Sequence, residues 1–313
     1  NSFMQNPQGF VLNNGRAEMV DFFSLIANPY VWHQFPHVVT GGITTAGFFV
    51  MGISAWHLAK KHEVAFFQKS FKYALVYGLI GVLAVCGIGH AQGQFLMDVQ
   101  PMKMAAAEAH WETEDPASFV AVAVIDEEAG ENKFSIKIPN MLSFMTYNSF
   151  SGEVKGIHDL QAEYTELYGE GNYVPQVTPL FWSFRAMVGA GGLMVLLALI
   201  GAILLKTGKL ANSKKYLKLM PFAMILPYLA NTTGWLIAEM GRQPWIVYGL
   251  QKTAEGVSTV VPASYVLISM IGFTLIYGIL AVVDVILIVK YAKKSPEDLE
   301  EAPTASEEVS LWA

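Results

Sequence analysis

The chain has 313 residues, of which 53% are hydrophobic and 15% charged, with a mean hydropathy of +0.38. That is too apolar and too charge-poor for an ordinary water-soluble domain. A formal net charge of −6 offers no basic footprint for nucleic acid, and the single cysteine, Cys86, excludes an internal disulfide framework or a thiolate metal cluster.

In chain order, Asn1 is not an initiator residue and no signal-peptide pattern follows it. Residues 1–7 read as the end of an earlier helix. Asn6-Pro7-Gln8-Gly9 predicts a turn, and the mildly amphipathic stretch 13–29 predicts an interfacial helix. Five long apolar stretches follow: Phe35–His57, Tyr73–His90, Pro179–Leu205, Leu219–Glu239 and Pro262–Lys290. Each is near or above the roughly 20 residues that cross the hydrocarbon, and lipid obliges such spans to be helical. The expected fold is therefore all-α, a polytopic transmembrane helix bundle, with a short hairpin around Phe119–Ile138 as its main sheet.

Lysines set the sidedness. Lys60, Lys61, Lys69 and Lys72 lie between the first two spans, Lys206 to Lys218 between the third and fourth, and Lys290, Lys293 and Lys294 after the last. The region from Gln92 to Thr178 is acidic. The positive-inside rule puts the lysine-rich segments in the cytoplasm and 92–178 outside. The chain then divides into residues 1–91, with an upstream helix end, an interfacial helix and two spans; 92–178, an extracytoplasmic loop; 179–294, three spans; and 295–313, an acidic tail expected to be disordered.

One stretch concentrates chemistry: Gly234-Trp235-Leu236-Ile237-Ala238-Glu239-Met240-Gly241-Arg242-Gln243-Pro244-Trp245. No ionised side chain precedes it back to Leu219. Trp235, Glu239 and Arg242 stand at i, i+4 and i+7, on one helix face. Gly241 suits a helix end, and Pro244 prevents the helix from resuming. A carboxylate so near a membrane core marks a functional site, or a Glu239–Arg242 pair that anchors the helix at the interface. His37, Met187 and Glu239 all fall in the expected outer half of the membrane. Gly41 and Gly191 follow His37 and Met187 at i+4, which either makes room for a flat macrocycle or lets helices pack closely.

The string GWLIAEMGRQPW resembles the hallmark of subunit I of the cytochrome bd quinol oxidases. The whole chain resembles that subunit from inside its fourth transmembrane helix to its end, so the N-terminal helices are expected to lie upstream. The resemblance implies that His37 and Met187 ligate a low-spin heme b and that Arg185 stabilises its reduced form. It implies that Glu239 ligates a high-spin heme b in the oxygen-reducing pair with heme d, with Trp235 and Arg242 around it. Lys103 and Glu108, in Pro101–Glu112, match positions implicated in quinol oxidation. Their i+5 spacing does not put both on one helix face, and a solvated acidic helix is the bland reading. The compact Tyr147–Tyr173 segment resembles the short-loop branch.

The implied protein is a quinol:oxygen oxidoreductase in a bacterial or archaeal cytoplasmic membrane. Its implied partners are oxidase subunit II, a small single-helix subunit, membrane quinol and oxygen. A gradient would arise without pumping, because quinol protons leave outside and consumed protons enter from inside. The ligand histidine of the other high-spin heme is expected upstream, so this stretch alone should not reduce oxygen. A cyanide-insensitive relative with heme b in place of heme d would present the same ligands. A proton-coupled transporter using Glu239 and Arg242 would bind no heme.

Overall fold

The structure, a computed structural model, describes residues 1–294; the tail expected to be disordered lies outside the described residues. A first turn of helix, α1 (Ser2–Gln5), leads into a hairpin of β1 (Phe10–Asn13) and β2 (Arg16–Met19). The reason is local: Asn14 and Gly15 both take positive φ, 49° and 75°, as a tight hairpin turn requires. The stretch 13–29 is thus not one interfacial helix. It is half of a hairpin followed by α2 (Phe22–Ile26), whose first amides, of Phe23 and Ser24, are capped by the Asp21 carboxylate.

The next two helices outrun their predicted spans. α3 (Pro29–Lys60) starts at Asn28, whose side chain accepts from the Tyr30 amide, with Pro29 in the first turn. Lys61 and Glu63, at φ 60° and 37°, reverse the chain into α4 (Val64–Val99). At the helical rise the 36 residues of α4 measure about 54 Å, far more than a bilayer core. Its C-terminal end therefore enters the region expected to be loop. The two helices cross where Gly47 meets Gly78: a Cβ on Gly47 would stand 2.7 Å from the Gly78 nitrogen.

Beyond α4 come α5 (Pro101–Glu108), the expected hairpin β3 (Phe119–Asp126) and β4 (Glu131–Ile138), α6 (Met141–Tyr147) and α7 (Ile157–Tyr168). α8 (Val177–Lys206) returns through the bundle. The predicted span Leu219–Glu239 is not one helix. α9 (Lys214–Ala223) and α10 (Ile225–Met240) meet at Met224. Pro227 has no N–H to bond the carbonyl of Ala223 one turn back, and Met224 uses the break to fill the space left by Gly52 of α3, where a Cβ would touch its sulfur at 2.5 Å. Among the described residues, four helical segments rather than five are long and apolar enough to cross a membrane unbroken. The last strands, β5 (Trp245–Val247) and β6 (Gln251–Lys252), precede α11 (Ala263–Ala292), none of whose residues is buried.

Two cores hold the body together. One joins α3, α4, α8 and α9 through Phe48, Phe71, Leu75, Leu197, Leu217 and Met220. The other ties α5, the β3–β4 hairpin and α7 to α8 and α10 through Ala106, Val120, Ile157, Tyr173, Leu180 and Ile237. The second core fixes the candidate site. A test of the first is Gly47→Val: overpacking of this kind costs about 1–3 kcal/mol, so the thermal midpoint of the purified protein should fall. Gly42→Ala, where a Cβ meets nothing within 4 Å, should leave it unchanged or raise it.

Candidate functional site

Glu239 lies in the last turn of α10, and its carboxylate is doubly engaged. Arg242 Nη2 donates to Oε2 at 2.6 Å, and Asn1 Nδ2 donates to Oε1 at 2.8 Å. Arg242 Nη1 also reaches Asn1 Oδ1 at 3.4 Å, while its Nε is buried with no partner. Arg242 stands beyond the helix end and folds back, so the expected face of three side chains does not form a packed trio. Trp235 is 60% exposed. Gly241 has φ −69°, an ordinary helical value. It is there for space: a Cβ would meet the Ile237 carbonyl at 2.6 Å and Lys103 Cγ at 2.7 Å.

α5 is the second component. Seven of its eight residues are buried, including both charged ones, Lys103 and Glu108, each 1% exposed. The solvated-helix reading of this stretch is excluded by that burial. Lys103 Nζ donates to Gln5 Oε1 at 2.7 Å and to the Ala238 carbonyl at 3.3 Å. Burial, reinforced by the nearby Arg242 cation and opposed by Glu239, pushes the Lys103 ammonium down to about 7. Glu108, at the other end of the helix, pairs instead with Arg185, Nη2 to Oε2 at 2.7 Å. Burial pushes its carboxyl up, against the pull of Arg185. Its Oε1 is buried and has no hydrogen-bond partner.

Arg185 is spent mostly on protein. It donates to the carbonyls of Ala107 and Val120 as well as to Glu108, and its guanidinium lies 4.0 Å from the Phe181 ring centroid and 4.5 Å from that of Phe119. It fastens α5 and β3 to α8, two residues before Met187.

His37 and Met187 reach one level of the bundle through α10. Asn231 Nδ2 donates to Thr45 Oγ1 at 3.1 Å, and a Cβ on Gly41 would meet Asn231 Oδ1 at 3.1 Å. Gly41 therefore admits α10. Its i+4 place after His37 is used for helix packing. One turn further out on α10, a Cβ on Gly234 would meet Met187 Sδ at 3.1 Å, and His37 is one turn further out on α3. The imidazole is backed by Gly89 of α4, where a Cβ would stand 3.0 Å from Cε1, and its Nδ1 is buried with no partner. At Gly191 and Gly192 a Cβ would meet nothing within 4 Å. An imidazole without a protein partner, a thioether at the same level and open glycines beside it fit a flat macrocycle that both side chains would hold. Glu239 and the unpartnered Nε of Arg242 fit a second group with anionic edges.

Asn1, Gln5 and Gln100 escaped the sequence reading. Asn1 and Gln5 lay on a stretch read as a helix end, and Gln100 in the stretch read as loop. His110 is also buried, with Nε2 3.0 Å from the Val154 carbonyl.

The Arg185–Glu108 tie can be tested. Arg185→Met leaves a buried carboxylate alone, which costs about 3–5 kcal/mol. Protease cleavage between residues 109 and 156 should speed up. The double variant Arg185→Met/Glu108→Leu removes both charges and should recover much of the resistance.

Three comparisons bear on this arrangement. The family described as "Cytochrome bd terminal oxidase subunit I" matches residues 1–296. The chain is 50% identical over 298 residues to "Cytochrome bd ubiquinol oxidase subunit 1" of Bacillus subtilis, covering 95% of this chain and 64% of that protein. It is 30% identical over 366 residues to "Cytochrome bd-II ubiquinol oxidase subunit 1" of Escherichia coli, covering 97% of this chain and 71% of that one. Among solved structures it resembles the bd oxidase from Geobacillus thermodenitrificans with a TM-score of 0.81 and 29% identity, over 94% of this chain and 65% of the other. The chain thus spans just under two thirds of the Bacillus subtilis relative and of the Geobacillus structure. A family match over nearly all its residues, on a helical membrane architecture shared with a solved bd oxidase, places it: the chain belongs to the cytochrome bd terminal oxidase subunit I family.

Proposed function

We propose that this chain forms the quinol-oxidising, heme-bearing part of a cytochrome bd oxidase. The observation that carries the reading is the meeting at α10: Gly234 seats the Met187 sulfur, Asn231 packs one turn below His37, and Glu239 closes the helix. Met187 and Glu239 thus meet at α10 itself, and His37 stands one turn of α3 from where α10 packs on Gly41.

His37 and Met187 would hold a low-spin heme b, whose reduced form a neutral thioether would favour. Glu239 would hold a high-spin heme b, and Arg242 balances the carboxylate, with its free Nε open to an anionic edge. When bound, these groups, together with heme d, supply electron transfer and the reduction of oxygen to water. The chain's own contribution begins with quinol. Glu108 Oε1 is an acceptor with no protein partner, on a carboxyl whose proton affinity burial raises, so it takes the proton of a quinol hydroxyl. Arg185 holds that carboxylate in place and returns it to the charged form. The lysine-rich segments face the cytoplasm, region 92–178 faces outward, and quinol protons leave there, so charge separates without pumping. Subunit II, a small single-helix subunit and the upstream ligand histidine complete the enzyme in the bacterial membrane. The 50% identity to a ubiquinol oxidase subunit supports a quinol as substrate.

Two variants of the complete complex test the reading. Met187→Leu keeps volume and apolarity, so packing alone should cost under about 1.5 kcal/mol. The expected result is loss of the low-spin band in a reduced-minus-oxidised spectrum, together with slow quinol oxidation. A normal band with normal turnover would return Met187 to core packing. Glu108→Gln keeps shape and removes proton uptake. Quinol oxidation should slow by about 10²–10⁴-fold with all heme bands intact; unchanged turnover would make Glu108 a purely structural partner of Arg185.

A further inference from the structure

α4 begins at the lysine-rich end of the bundle and α8 ends there, and the two helices leave a groove between them. Its volume is about 410 Å³, within the ~300–1,000 Å³ of clefts that hold small ligands. α4 lines it with Lys72, Leu75, Val76 and Leu79, at i, i+3, i+4 and i+7. α8 lines it with Ala202, Leu205 and Lys206, at i, i+3 and i+4. Each set is one helix face. The stripes run in opposite chain directions and in the same spatial order: an ammonium at the helix end, then aliphatic side chains toward the middle of the bundle.

The helices touch where Gly201 faces Leu75, since a Cβ on the glycine would stand 3.4 Å from Leu75 Cδ1. On the core side of that contact Tyr216 of α9 is buried, its hydroxyl donating to the Leu197 carbonyl at 2.9 Å. Lys72, Val76 and Lys206 are exposed, so the groove opens away from the bundle. Neither ammonium is answered within the protein. Among the described residues no ion pair involves Lys72 or Lys206. No Asp or Glu occurs from Val64 to Met97 or from Val177 to Ala223. Lys69 and Lys209, three residues from Lys72 and Lys206 along the chain, add charge of the same sign. Two cations that share one groove repel each other unless an anion stands between them.

We propose that this groove binds an anionic phospholipid. Its phosphate sits between Lys72 and Lys206, and an acyl chain runs along Leu75, Val76 and Leu79, where the small side chain of Ala202 leaves room. A free phosphate would use the lysines and leave the aliphatic stripes bare. A zwitterionic lipid would cover the stripes and bring its own cation to the lysines. An anionic lipid satisfies both ends. The groove lies at the opposite end of α4 from region 92–178 and shares no residue with the candidate heme ligands, so its occupancy is read independently of them.

The test uses the complete oxidase complex, stripped of lipid in detergent and titrated with phosphatidylglycerol, phosphatidylcholine or inorganic phosphate. Bound lipid is counted by native mass spectrometry, and the thermal midpoint is followed in parallel. Phosphatidylglycerol should bind and raise the midpoint, and the other two should do neither at the same concentration. Its affinity should fall about fivefold in Lys72→Gln or Lys206→Gln and more than about tenfold in the pair. Ala202→Phe fills the groove, keeps both charges and should lower the affinity as well. Lys60→Gln/Lys61→Gln removes equal charge from the turn between α3 and α4 and should leave the affinity nearly unchanged. An equal loss in that control would make the attraction a property of the whole basic face and overturn the proposal. Equal binding of phosphatidylcholine would overturn it too, leaving only an apolar groove. So would an unmoved affinity in Lys72→Gln/Lys206→Gln, which decides the matter alone if Ala202→Phe does not assemble.

Discussion

A charge taken out of water must meet an opposite charge or a set of dipoles, and that requirement shapes everything around the site. Lys103, Glu108 and Arg242 are all buried, and Arg185 nearly so. Each is answered by a group on a different segment: Lys103 by α1 and α10, Glu108 by α8, Arg242 by Glu239 and Asn1. The polar links therefore cross between separate elements, beside the apolar core that α5 shares with α8 and α10. They hold α1 and α5 against the ends of α8 and α10 where a greasy interface would allow sliding. The apolar core of α5, the β3–β4 hairpin and α7 supplies bulk, and the ion pairs supply register.

This arrangement also joins two polar clusters within eight residues. Lys103 and Glu108, at the two ends of α5, meet different partners. One end stands beside the helix that carries Met187, the other beside the helix end that carries Glu239. The short strut thereby links the neighbourhoods of two proposed ligand positions, through Lys103 at one end and Arg185 at the other.

The membrane-spanning character was legible because it is written in length and apolarity, quantities that no tertiary detail can reverse. The β3–β4 hairpin was legible for a similar reason, since β-branched residues on both sides of a polar turn have few other options. The break at Met224 was not: the stretch is apolar throughout, and it takes Pro227 together with the empty space at Gly52 to explain why the chain turns there. The first hairpin was missed because a pattern of scattered apolar residues was weighed above Asn14-Gly15, whose backbone preference wins locally. Helical spacing put Trp235, Glu239 and Arg242 together, yet the helix stops at Met240, so spacing no longer governs Arg242. The charges of α5 read as solvated because their partners, Gln5 and Arg185, are about a hundred and about eighty residues away along the chain. Burial of that kind is a property of the assembled fold and leaves no local trace.

Gly241 carries a consequence for how this position can vary over time. Its hydrogen points at the Lys103 stem and at the Ile237 carbonyl, with no room for a carbon atom. Every amino acid reachable from a glycine codon by one nucleotide change brings a β-carbon. Every amino-acid change at this codon is therefore closed at once, including the step to alanine that the ordinary helical φ of Gly241 would otherwise permit. Change here would have to follow a prior loss of the lysine or a shift of α5, so the order in which substitutions can arise is dictated by a single missing atom.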